Sequence, residues 1–300
     1  MKSKTVLFFW GVIIIASGCV DKFKPKKEIR TECPEGVEAQ KKLLFIGWDG
    51  VRSDALIAAN TPNLDSLFGQ AIYSFNVDRG PYTVSTPGWS SILHGVWPSK
   101  HGLTENSFRK NKYDKYPDIF TLMRRTKSNL GLATLSNWDS FLQITEEETY
   151  AQRFETDPEM VQEALNLLTN CAPDVMLMHF DYPDASGHEF NFSPNSLEYR
   201  YSIEISDYYL GLIMSKIKQR EQDFNEQWMV VLTTDHGGDG TGHGGQDDLL
   251  QTRYVWQVVR APLFSSSNQT HGKVVDLLPT MMKWMGCEIG GLDLDGTSLY

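Results

Sequence analysis

Long hydrophobic runs, paired cysteines and surplus positive charge are all scarce in this chain of 300 residues. The one sustained apolar run, 6–16, is too short for a comfortable membrane span. The four cysteines (Cys19, Cys33, Cys171, Cys287) have no C-x-x-C spacing, which indicates neither a zinc ribbon nor a disulfide scaffold. Lys+Arg number 28 against 38 Asp+Glu, a net charge of -10, so binding of a nucleic-acid polymer, which needs a basic face, is not expected. A small phosphorylated substrate remains compatible, because bound cations reverse a local field. Internal repeats and low-complexity tracts are also lacking. What is present is a chain 41% hydrophobic and 12% aromatic, enough for one large core or two small ones, with one domain favoured.

The N-terminus has the layout of an export signal: Lys2 and Lys4 precede the apolar run, which closes on Ala16-Ser17-Gly18-Cys19. Small residues before a cysteine resemble the lipobox of bacterial lipoproteins, with Cys19 as the lipidated residue. Residues 1–18 are therefore expected to be a signal peptide and 19–40 a charged tether carrying two prolines. The domain would occupy 41–300, exported to the cell envelope and held on a bacterial membrane by its lipid. Nothing in the sequence sets an oligomeric state.

Within 41–300, apolar runs end repeatedly in acidic or histidine residues. The run 41–48 closes on Asp49-Gly50. The run 173–180 leads into Asp181, Asp184 and His188, and 228–234 closes on Asp235-His236 before a glycine-rich loop that holds His243. Such runs suit strands buried on both faces, and the glycines that follow cannot continue regular structure. Further strands are expected over 71–77, 131–136 and 254–259, and helices from Thr61 and over 118–127, 157–170, 196–220 and 274–285. The helix over 157–170 keeps Met160, Val161, Ala164, Leu165 and Leu168 on one side. Alternating strands and helices predict an α/β fold, a mostly parallel central sheet with helices on both faces. Open sheets of this kind carry their sites at the C-terminal ends of strands. That edge would gather Asp49, Asp184, His188, Asp235, His236 and His243, the carboxylate and imidazole groups that bind divalent metals.

These residues, with Ser85-Thr86-Pro87, the later Gly95, Pro98-Ser99-Lys100-His101-Gly102, Gly187-His188, Asp235-His236-Gly237 and His243-Gly244, resemble the alkaline phosphatase superfamily. They are most similar to its type I phosphodiesterase and nucleotide pyrophosphatase branch, with the sulfatases as near relatives. The tail, over 276–280 and 294–299, resembles the last helix and tail of sulfatase-like enzymes. The resemblance implies two divalent ions, and the histidine-rich ligand set favours zinc. Asp184, His188 and His243 would hold one; Asp49, Asp235 and His236 would hold the other, with Ser85 bridging toward it as a metal-activated nucleophile. Asn106 would bind a phosphoryl oxygen. The implied activity is hydrolysis of phosphodiester or pyrophosphate bonds in a phosphorylated small molecule. The alternatives are a phosphomonoesterase, a sulfatase, or a non-catalytic binding lipoprotein on the same fold. Trp89 stands where sulfatases carry an arginine, and Gly50 where they carry a second aspartate, so the sulfatase maturation chemistry is not expected.

His94, His101, His179 and His271 extend no ligand spacing and are expected to be structural. Asp181 and Asp239 read as loop carboxylates, and Trp89, Trp138 and Phe141 as core. Thr86 precedes Pro87, a residue favoured at the first helical position, which predicts Thr86 as the N-cap and leaves Ser85 to attack. The same proline predicts free backbone N–H groups near Ser85, suited to a phosphate.

Overall fold

The computed structural model describes residues 41–245, 249–288 and 290–300; the expected signal peptide, Cys19 and the tether lie outside them. The strands are β1 (Lys41–Trp48), β2 (Ala71–Asp78), β3 (Leu132–Ser136), β4 (Tyr150–Arg153), β5 (Val175–Phe180), β6 (Gln227–Thr233), β7 (Tyr254–Arg260), β8 (Ser267–Asn268) and β9 (Gly272–Lys273). The helices are α1 (Ser53–Ala58), α2 (Pro62–Asp65), α3 (Ser85–His94), α4 (Pro98–His101), α5 (Ile119–Thr126), α6 (Asp157–Asn170), α7 (Tyr182–Phe190), α8 (Leu197–Phe224), α9 (Leu250–Arg253) and α10 (Leu277–Trp284).

All the strands join one sheet, ordered β4-β3-β5-β1-β6-β7-β2-β8, with β9 also paired to β2. From β4 to β6 the pairing is parallel. Then β7 runs against both β6 and β2. The sheet is thus mixed but mostly parallel. Side-chain alternation along β1 builds a core on each face. Leu44, Ile46 and Trp48 join Met160 and Ala164 of α6 and Ile203 and Leu210 of α8. Leu43 and Phe45 join Ile92 of α3, Phe120 of α5 and Met281 of α10 on the other face. Burying each such side chain stabilises by about 1.5–3 kcal/mol, which is why a strand covered on both sides reads as one continuous apolar run.

The parallel register places Gly47 of β1 level with His179 of β5 and Thr233 of β6. Asp49, Asp181 and Asp235 follow directly, so three neighbouring strands deliver acidic residues to one edge. α6 begins with a capping box between Thr156 and Glu159, worth about 1 kcal/mol. The helix expected over 274–285 is a 3₁₀ turn, Val274–Asp276, running into α10. Cys171 is disulfide-bonded, while Cys287 is free and buried. One bridge is therefore present where the cysteine spacing indicated no scaffold.

A buried polar layer lies behind α3. His94 packs between the carbonyls of Tyr116, at 2.6 Å, and Ile144, at 3.1 Å, and stacks on Tyr113. Burial pulls His94 down to about 4 and His101 to about 3, and pushes Asp118, the cap of α5, up to about 7. Between pH 6.5 and 4 the unfolded chain takes up histidine protons that the fold refuses, so stability falls on acidification, by roughly 3 kcal/mol for His94 alone. Asp118 acts in the opposite sense, since its fold-bound proton is lost as pH rises toward 7. Asp118→Asn keeps the cap and deletes that compensation. Urea midpoints from pH 7 to 4 should therefore fall more steeply in this variant than in the wild type.

Candidate functional site

At the C-terminal edge of β5, α7 presents Asp184 and His188 one turn apart on the same face, with their side chains 3.3 Å apart. No helix is expected here from the sequence, which shows only Asp181, Asp184 and His188 following the apolar run. His243 reaches the pair from the glycine-rich loop, with Nε2 3.1 Å from His188 Nε2 and 3.7 Å from Asp184 Oδ1. A second group stands beside it. His236 Nε2 lies 3.4 Å from Asp49 Oδ1, 3.3 Å from Asp235 Oδ2 and 3.2 Å from Ser85 Oγ. Asp184 adjoins both groups, since its carboxylate also falls within 4.8 Å of ligand atoms of Asp49 and His236. Gly50 makes this approach feasible: its φ is +67°, and any Cβ there would collide with Asp184 Oδ1.

The histidine tautomers are fixed by backbone carbonyls, which can only accept. His243 donates from Nδ1 to Thr83 O at 2.6 Å, His188 to Thr241 O at 2.9 Å, and His236 to Gly237 O at 3.0 Å. In the neutral form of each ring, the form that a metal ion requires, Nε2 is a bare lone pair aimed into the site, the arrangement that orients metal-binding imidazoles. Two such lone pairs 3.1 Å apart repel unless a cation or a proton lies between them. Asp49 Oδ1, Asp184 Oδ1 and Asp235 Oδ2 are buried with no hydrogen-bond partner. Burial, then the charges of Asp49 and Asp184, push Asp235 well above the usual carboxylate range. Burial raises Asp184 too, and Asp181 rises to about 6 through burial and the charge of Asp49. The hydrogen bond that His188 donates to Asp184 pushes this histidine up to about 9. Crowded, desolvated oxygens of this kind need compensating positive charge. The donor set fits divalent cations.

Ser85 is the first residue of α3, and its hydroxyl faces His236. Thr86 is not the N-cap. That position is Val84, in extended conformation, and Thr86 Oγ1 is buried without a partner. The helix starts two residues earlier relative to Pro87 than the proline preference predicts. The anion cradle is correspondingly smaller than expected. Thr86 N–H donates to Asn106 Oδ1 at 2.9 Å, Gly88 N–H closes on Val84 O, and Pro87 has none. Holding Asn106 by its Oδ1 leaves the amide NH₂ available to donate. Gly88 lets the helix start lie against the metal-type ligands, because a Cβ there would sit 2.8 Å from Asp235 Cβ.

Several contributors were discounted or missed in the sequence. His179 and Trp89 are buried as expected, yet both donate to Asp49. Arg79, also buried, donates from Nε to Asp235 O at 2.8 Å, and its charge partly offsets the rise of Asp235. No spacing in the sequence singles it out. Asp239 accepts from Gln251 at 3.1 Å and pairs loosely with Arg52, so it braces the loop. His94 and His101 are structural, and His271 bonds Asn76 away from the site.

The sheet order, with these groups at the ends of β1, β5 and β6, is that of an alkaline phosphatase-like fold. Murine ectonucleotide pyrophosphatase / phosphodiesterase 5, an inactive variant solved with AMP, superposes with a TM-score of 0.68 at 14% identity, covering 86% of this chain and 97% of that one. A 2-O GAG sulfatase gives 0.61 at 15% identity, covering 86% and 73%. The family follows from the sequence match: the model for type I phosphodiesterase / nucleotide pyrophosphatase matches residues 43–140 and 134–262, and the chain belongs to that family. Bovine (Bos taurus) ectonucleotide pyrophosphatase/phosphodiesterase family member 3 is 25% identical over 241 residues, 70% of this chain and 26% of that protein. Venom phosphodiesterase 2 of Crotalus adamanteus is 26% identical over 242 residues, 69% of this chain and 28% of that protein. The chain thus spans about a quarter of the length of these relatives.

Proposed function

We propose that this chain is an exported metallohydrolase that cleaves phosphodiester or pyrophosphate bonds, with Ser85 as nucleophile and nucleotide-like molecules as substrates. The observation that carries this reading is the placement of Ser85 Oγ, 3.2 Å from His236 Nε2, at the start of a helix set against two adjoining carboxylate–histidine groups. Asp184, His188 and His243 would hold one divalent ion, and Asp49, Asp235 and His236 the other, beside Ser85. Zinc suits these ligands best. When bound, the ions supply charge to the attacking and leaving oxygens and lower the serine pKa.

Ser85 Oγ attacks phosphorus, the leaving group departs on the opposite side, and water then frees the enzyme from the phosphorylated serine. The Asn106 amide, braced by Thr86 N–H, donates to a non-bridging phosphoryl oxygen. A diester preference is supported by where the nearby cations point. Arg52 is engaged by Asp54 and Gly238 O, and Lys100 by Asp293 and Asp295. Of Arg52, Lys100 and Arg109, the cations nearest the motifs in sequence, the first two are thus committed elsewhere and are not dedicated partners for the extra charge of a monoester. With a nitrophenyl nucleotide diester and its matched monoester, kcat/KM is expected to favour the diester by at least about tenfold, on the order of 1.4 kcal/mol. A ratio in favour of the monoester would overturn the diester reading.

Export and lipid anchoring through Cys19 are part of the same proposal, supported by the N-terminal pattern and by a disulfide at Cys171, which suits an oxidising compartment. Mass spectrometry of the mature protein should find residues 1–18 removed and an acylated Cys19.

A further inference from the structure

One carboxylate of the site is tied down from behind. Asp49 Oδ2 accepts from Trp89 Nε1 at 3.0 Å and from His179 Nε2 at 2.9 Å, while Oδ1 has no hydrogen-bond partner and faces His236. An indole N–H can only donate, and an ionised carboxylate can only accept, so the direction of both bonds is fixed. Both donors are themselves immobilised. The His179 ring stacks on Phe141 at 4.6 Å, with Trp138 and Trp89 at 5.8 and 5.3 Å, and its Nδ1 lies 3.2 Å from Ser136 Oγ. The Trp89 ring lies on Gly47, where any Cβ would collide with the indole. Gly47 is also the register partner of His179, so a strand glycine makes room for the indole beside the imidazole, and the two donors converge on one oxygen.

The geometry points to Trp89 and His179 as a positioning pair. They reserve Asp49 Oδ2, present Oδ1 alone to the metal, and thereby set the affinity of the centre formed by Asp49, Asp235 and His236. This rests on the two-centre reading above. Two charge-assisted bonds fix the plane of the carboxylate. Without them it can rotate and turn Oδ1 away from the cation that Asp235 and His236 would share. Trp89 also lies one helical turn from Ser85 on α3, so the element that aims the nucleophile also aims this ligand.

The test is competitive zinc titration of the chelator-stripped protein against a chromophoric chelator, with the visible spectrum of the cobalt(II) form as a second readout. Wild type is expected to bind two ions. Trp89→Phe and His179→Phe should each weaken one ion by roughly 10–100-fold, leave the other unchanged, and alter the cobalt bands of a single centre. His179→Gln, whose amide can reach the place of Nε2, should recover most of the affinity; His179→Asn, whose amide cannot, should not. If the Phe variants do not fold, the contrast between Gln and Asn decides. Two ions in wild type with unaltered affinities in the variants, or equal binding by Gln and Asn, would overturn the positioning pair alone. Fewer than two ions in wild type would overturn the two-centre reading and the pair with it.

Discussion

Ser85→Ala is expected to lower diester kcat by at least about 10³-fold while zinc content and fold stay unchanged. The hydroxyl faces His236 in the site, and the change deletes a single oxygen from the start of α3, so the fold is expected to be kept. Ser85→Thr keeps a hydroxyl at the same helical position and should retain a measurable fraction of the rate. The adjacent hydroxyl is the natural control. Thr86 Oγ1 is buried without a partner, so Thr86→Val should preserve activity and lose no stability, since an unsatisfied buried hydroxyl costs roughly 1–3 kcal/mol. Steady-state kinetics, metal analysis and urea denaturation on the three variants settle the assignment. A near-normal rate in Ser85→Ala would mean that another group attacks.

The second large effect concerns metal. His243→Ala should bind one zinc ion in place of two and lose activity by more than the roughly 10–100-fold typical of outer-shell partners. The fold should survive, because His243 sits in a loop and packs chiefly on His236, Phe192 and His188. Chelation should abolish hydrolysis in the wild type, and zinc should restore it better than magnesium, which prefers oxygen ligands. Full activity in protein shown by elemental analysis to be metal-free would sink the metallohydrolase reading.

Much of this was legible in the sequence because strands buried on both faces leave a plain signature. The runs before Asp49, Asp181 and Asp235 are apolar without alternation, and they form the three adjacent parallel strands β5, β1 and β6. What the sequence could not carry was set by contacts between distant segments. His179 looks like any strand residue until the register puts it beside Gly47 and its ring meets Asp49. Trp89 packs as a core residue and donates as a polar one, and composition reveals only the first role. Arg79 acts through a backbone carbonyl, which no motif encodes. The cap at Thr86 failed for a local reason. The proline preference for the first helical turn does not say which position in that turn proline will take, and here it is the third.

The site draws its groups from three strand ends and a loop far apart in the chain, with Gly50 N–H and Asp235 Oδ1 meeting across 185 positions. An unfolded chain cannot assemble them, so a metal ion held by the whole set would favour the native state. By mass action, an ion at a hundred times its dissociation constant adds about 2.7 kcal/mol to the folding equilibrium for each independent centre. Metal supply would then govern abundance as well as turnover. Starved of such ions, the protein would lose part of its margin against proteases, and its half-life would become a readout of metal availability in the surrounding compartment.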